Sequence, residues 1–146
     1  MATEKFSTYS YLLDRTNRKI KQYAQQKFKE KDFDITVDQW VLLDHIYRSQ
    51  KNGISQNELA EMTVKDAPTV TRIIDLLVKK GLAERAMAEN DRRRFNITLT
   101  ADGEKKFHDA FPIVAEVRRK GWGDLSENDY QTFVRILDSI YNNITG

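Results

Sequence analysis

The stretch SQNELAEMTVKDAPTVTRIIDLLVKKG, residues 55–81, holds two helix starts eleven residues apart. Ser55 with Glu58 three positions on is a capping box, in which the hydroxyl takes the Glu58 N–H and the carboxylate reaches back to the Ser55 N–H. The helix it opens, Gln56 to Met62, is very short and turns Leu59, Ala60 and Met62 inward. Asp66 is the second start, with Pro68 in the first turn, where a missing N–H costs no hydrogen bond. The spacing predicts a helix from there to Lys80, stopped by Gly81, which tolerates the positive φ of a helix end. Helices separated by three or four residues cannot lie side by side, so these two must cross steeply, as in a helix-turn-helix. Val70, Ile73, Ile74, Leu77 and Val78 share the inner face of the second helix, and Pro68, Thr69, Arg72, Leu76 and Lys79 face out. That outer face suits a major groove, where arginine donates two bonds to guanine and threonine meets an acceptor or a thymine methyl. An ordinary solvated face fits this helix equally well.

The segment after Gly81 decides between the two. There the apolar period becomes two: Leu82 and Arg85, then Phe95, Ile97 and Leu99 alternating with Asn96 and Thr98. Two short strands joined by a loop over Met87 to Arg94 predict a hairpin with Asp91, Arg92, Arg93 and Arg94 at its tip. Three adjacent arginines repel one another unless a polyanion shares the space, and a slender arginine-tipped ribbon suits a minor groove. A helix-turn-helix followed by such a hairpin is a winged helix, giving a mainly α fold with a small β-hairpin wing.

On the N-terminal side, Tyr9, Leu13, Thr16, Ile20, Tyr23 and Ala24 predict one amphipathic helix from Phe6 to Lys31. Its opposite face carries Arg15, Arg18, Lys19, Lys21 and Lys27, read as solvated. The Asp32/Asp34 pair is turn chemistry, and Thr36 with Gln39 opens a helix carrying Trp40, Val41, Leu42, Leu43, Ile46 and Tyr47. Beyond the hairpin, Thr100 caps a helix with Phe107, Phe111, Val114 and Val117, which Pro112 should kink. Gly121 to Leu125 reads as a loop. Ser126 then starts a last helix with a stripe of Tyr130, Phe133, Val134, Leu137, Ile140, Tyr141 and Ile144. One winged-helix core cannot cover both terminal stripes, so they are expected to bury each other across a two-fold, with Tyr9, Leu13, Ile20, Phe133, Leu137, Ile140, Tyr141 and Ile144 at a homodimer interface.

At 146 residues the chain is one domain's worth. Residues 6–35 and 104–146 are expected to form dimerisation helices around a winged helix-turn-helix at 36–103. With 40% hydrophobic and 32% charged residues it reads as globular and water-soluble. No run approaches the ~18 apolar residues of a spanning helix, and the N-terminus is too polar for a signal peptide, so no membrane and a cytoplasmic location are expected. The absence of cysteine excludes disulfides, thiolate metal sites, thiol nucleophiles and cysteine redox switches. Net charge is only +2, but residues 63–99 carry 8 basic against 5 acidic groups, a basic block between acidic ones. There is no glycine-rich phosphate loop, Gly-x-Ser-x-Gly elbow or His-Glu-x-x-His. His45 and His108, the only imidazoles, lie far apart without a second ligand at metal spacing. No enzyme, cofactor or metal is therefore expected.

Four segments carry a resemblance: Gly53 to Ala60, Thr69 to Arg85, Asp91-Arg92-Arg93, and Leu99-Thr100-Ala101-Asp102-Gly103. Together they resemble the MarR family of bacterial transcription regulators, the Asp-x-Arg and Leu-Thr-x-x-Gly pattern being the most specific part. The resemblance implies a homodimer with interlocked terminal helices, its winged helix on a pseudo-palindromic double-stranded DNA operator, acting as a repressor. It implies groove-facing roles for Thr69, Thr71 and Arg72, with Ser55 and Gln56 near the phosphates. It places Arg93 in the minor groove, oriented by Asp91. Pro68, Lys79, Arg92 and Arg94 complete the expected DNA-binding set. Many members carry arginine where this chain has Leu76. A small aromatic or lipophilic effector is implied, for which Tyr11, Trp40, Tyr47 and Phe111 supply rings; such rings at helical spacing are more often core. The competing reading is a winged-helix protein–protein interaction module without operator binding, presenting Tyr130 to Ile144 to a partner. Binding to random duplex DNA at two salt concentrations separates them, because only the regulator loses affinity steeply with salt.

Overall fold

The computed structural model describes residues 8–88 and 91–146, with the side chain of Arg92 outside the description. Its elements run α1 (Tyr9–Glu30), α2 (Val37–Arg48), α3 (Gln56–Thr63), α4 (Ala67–Lys79), β1 (Ala83–Ala88), β2 (Asp91–Leu99), α5 (Ala101–Trp122) and α6 (Glu127–Thr145). The mainly α winged-helix fold read from the sequence is the one observed.

Side-chain caps set five of the six helix starts. The Thr36 and Ser55 hydroxyls accept the N–H groups of Gln39 and Glu58 at 3.1 and 3.2 Å, and both boxes close reciprocally. The Asp66 carboxylate accepts from Thr69 at 2.8 Å. Ser126 and Asp129 form a third closed box at α6. Thr100 does two things: its hydroxyl accepts the Gly103 N–H at 3.0 Å, opening α5, and donates to the Gly81 carbonyl at 2.6 Å. The left-handed turn at Gly81, φ +76°, is thereby joined to the start of α5.

The core lies where α2, α4 and α5 meet the inner half of the hairpin. Trp40, Leu42, Leu43 and Ile46 of α2 pack with Leu59, Val70, Ile74, Leu77, Ile97 and Phe107, all buried. Trp40 and Tyr47 stack on Phe107 at 5.6 and 4.5 Å, and His108 meets Tyr47 edge-on at 5.0 Å. Two of the aromatics considered for an effector, Trp40 and Tyr47, thus serve packing. The hairpin is antiparallel, and the Ile97 N–H donates to the Ile54 carbonyl at 2.8 Å, stitching the wing to the segment before α3.

Several expectations are corrected. Met62 is exposed, because Ala60 and Thr63 flank Leu59 on the packed side of α3. Val78 is exposed too: Val70, Ile73, Ile74 and Leu77 centre the buried arc of α4 on their own side and leave Val78 about a quarter-turn away. Phe95 is exposed, since the hairpin projects beyond the core at that level. Gly121 and Trp122 belong to α5, which Pro112 does not end; the Trp122 ring rests on Tyr130 and Phe133 of α6 and holds the last turn in place. Phe6, read as the start of the first helix, lies outside the described residues.

Candidate nucleic-acid interface

The exposed side of α4 is one continuous surface of Pro68, Arg72, Asp75, Leu76 and Lys79, flanked by Ala67 and Thr71. Spacings of three and four place these residues together once Val70, Ile74 and Leu77 have turned inward. Asp66 anchors the helix start; the Thr69 N–H holds its carboxyl below the ordinary value, and the charge of Arg72 lowers it further. Among the described residues the side chains of Arg72 and Lys79 form no hydrogen bond or ion pair.

Other members of the expected set are committed inside the protein. The Ser55 hydroxyl caps α3. The Gln56 amide donates to the Thr71 hydroxyl, which in turn donates to the Ala67 carbonyl at 2.9 Å. These bonds tie α3 to the first turns of α4.

The arginine run does not sit in an open loop. Met87 pairs with Phe95 and Ala88 with Asp91, so Arg92, Arg93 and Arg94 are extra residues on β2 with none opposite them, a bulge that re-aims side chains. The Asp91 carboxylate accepts the Arg93 N–H at 2.9 Å, and the Arg93 side chain is 97% exposed. Arg94 turns the other way, to Asn96 and to Glu58 at the start of α3. The Glu58 carboxyl is held below its ordinary value by the Ser55 N–H and by Arg94. The side chain of Arg92 lies outside the described residues.

Four ion pairs have no signal in the sequence. Asp75 pairs with Arg85 at 2.6 Å, joining α4 to β1. Glu58, marked by its spacing only as a capping residue, also holds Arg94. Asp38 takes Lys21 of α1 at 2.8 Å and Lys65, one residue before the Asp66 cap, at 3.2 Å. Such pairs join elements whose relative placement no local spacing encodes.

Partial burial raises the Asp38 carboxyl, but its bonds to Lys21 and Lys65 outweigh this and leave it below the ordinary aspartate value. A lowered carboxylate contributes stability that is complete above the unfolded-state value and is lost as pH falls through the folded-state one. The Asp38 contribution should therefore hold at neutral pH and decline below about pH 4. Urea melts of the protein and Asp38→Asn, taken from pH 7 to 3, should converge as the pH falls; a constant gap would count against the ion pairs.

At the far end, α6 buries none of its residues within the chain. Tyr9, Leu12 and Leu13 of α1 and Phe133, Ile136, Leu137 and Ile140 of α6 line an apolar groove of about 280 Å³. Of the residues expected at a dimer interface, Tyr9, Leu13, Phe133, Leu137 and Ile140 meet there. Ile20, Tyr141 and Ile144 stand outside it, with Ile144 76% exposed.

A helix-turn-helix with a hairpin wing, carried between long terminal helices, defines a winged-helix transcription regulator. The model of the MarR family matches residues 33–94. The transcriptional regulator HosA of Escherichia coli O157:H7 is 31% identical over 109 residues, 75% of this chain and 79% of that protein. Staphylococcus aureus MepR, in a crystal structure of its complex with DNA, superposes with a TM-score of 0.85 at 31% identity, covering 97% of this chain and 99% of that one. The protein belongs to the MarR family of transcription regulators. No helix among the described residues is long and apolar enough to cross a membrane.

Proposed function

We propose that this protein is a cytoplasmic, non-catalytic repressor that binds a pseudo-palindromic double-stranded DNA operator as a homodimer, α4 in the major groove and the β1–β2 wing in the minor groove. The observation that carries the reading is the pairing of two exposed cationic points: Arg72 on the outer face of α4, and Arg93 on the wing, 97% exposed and held 3.8 Å from the Asp91 carboxylate. Phosphates and base edges are what such points serve best. MepR, the relative solved with DNA, supports the same use of the fold. The homodimer is supported by the uncovered stripe of α6. Release by a small aromatic or lipophilic effector is included on the family resemblance.

The test is a binding series. Arg72→Ala should cost about 1–3 kcal/mol on the operator and less on random duplex, because a base-edge contact is sequence-specific. Arg93→Ala should weaken both, with added loss at A·T-rich flanks, and reduce the salt slope by up to about one unit per wing. Unchanged affinity and slope in Arg93→Ala would remove the wing from the interface and favour a protein-interaction module.

A further inference from the structure

Between the cations Arg72 and Lys79 the outer face of α4 is largely apolar. Thr71, which faces this surface, donates its hydroxyl proton to Ala67 and accepts from Gln56, so beyond one oxygen lone pair it has its methyl to offer. Asp75 is neutralised by Arg85. Apart from the two cations, the rest of the surface is apolar: Ala67, Pro68, the Thr71 methyl and Leu76, which is 39% exposed although it stands between Arg72 and Lys79. Arg72 and Lys79 would draw a polyanion to either side of this leucine.

The one apolar group that a major groove displays is the C5-methyl of thymine. Resting on the DNA-binding reading above, we infer that Leu76, with the Pro68 and Thr71 pair one to two turns before it, reads thymine methyl groups, and that Leu76 is a specificity-determining residue of α4. Pro68 and Leu76 are eight residues apart, about 12 Å along the helix axis, so the two patches address methyls separated by about three base steps. Arg72, between them, supplies the hydrogen-bonded contact.

Selection of bound duplexes from a random pool gives the preferred site, and replacing its thymines one at a time by uracil removes the methyl while keeping the pairing edge. At two or more positions per half-site the replacement should weaken binding about fourfold each, the factor expected for one buried methyl. Leu76→Ala should erase the uracil effect at one of these positions and leave the others, and 5-methylcytosine placed opposite Leu76 should recover part of the affinity. Leu76→Gln serves as the second variant, and thermal melts of both variants show whether the fold is kept. Tight, sequence-selective binding with no uracil effect anywhere would overturn this inference while leaving the DNA-binding reading intact. A pool that returns no preferred sequence and no salt-dependent binding would overturn both.

Discussion

Ile140→Asp is expected to turn the protein into a monomer of about 17 kDa at micromolar concentration. Ile140 lies in the apolar groove where α1 and α6 meet, and no residue of the α6 stripe is buried within one chain. A carboxylate placed there meets no cation and, across a two-fold, is introduced twice. Desolvation and protonation together cost several kcal/mol, so the dimer dissociation constant should rise at least a thousandfold, about 4 kcal/mol. Operator affinity should fall with it, since each protomer would then hold one half-site alone. Ile144→Asp, at a fully projecting position, changes nothing inside the protomer and separates dissociation from unfolding. Sedimentation of both variants reads the answer, and a dimer retained in both would remove α6 from the interface.

Gly103→Ala carries the second large effect. Gly103 is the third residue of α5, and the space its side chain would need is filled by backbone: a Cβ would fall far inside contact distance of the Leu82 carbonyl oxygen. That carbonyl is fixed, since it accepts the Thr100 N–H at 3.1 Å. Accommodation therefore requires the turn after α4 and the first turn of α5 to part, disturbing the Thr100 cap and the buried Leu82 together. A loss of about 3 kcal/mol or more is expected, a fall in Tm on the order of 10 °C. Gly121, in the same helix, is the control. Nothing lies within 4 Å of a Cβ there, and Gly121→Ala should stabilise by about 0.5–1 kcal/mol. Equal melts for the two variants would contradict the packing of α5 on Leu82. The pair also gives the Leu-Thr-x-x-Gly pattern a physical meaning: leucine for the core, threonine for the cap, glycine for the close approach of the preceding turn.

Helix starts were legible because a cap is local: Thr36, Ser55, Asp66, Thr100 and Ser126 each act on an N–H three residues away. Inner faces were legible where a helix is long enough for its period to repeat, as over most of α4. They failed at Met62, where two turns allow two choices of face, and at Val78, where tertiary packing moved the centre of the buried arc. The outer hairpin was unreadable as strand, since both its faces meet solvent and no alternation is needed there. Its bulge followed from no spacing, and so neither did the divergence of Arg93 and Arg94. Gly121 and Trp122 looked like a loop by propensity, which contact with Tyr130 and Phe133 overrode. Val64, left-handed at φ 53° and 75% exposed in the helix-turn-helix, gave no signal at all, because a β-branched residue is a poor candidate for that conformation.

The stitches between wing and helix pair, Ile97 to Ile54, Arg94 to Glu58 and Arg85 to Asp75, tie together the two points of the proposed reading head. Such a head behaves like a pair of dividers locked at a single opening. Each added base pair swings the next contact round by about a tenth of a turn. Inside a half-site of the proposed operator complex that swing would strain these stitches, so the protein would set the gap between major- and minor-groove contacts. In the proposed homodimer the give between half-sites would have to come from the arms formed by α1, α5 and α6, and the same arms are where an effector would act to throw the two heads out of phase.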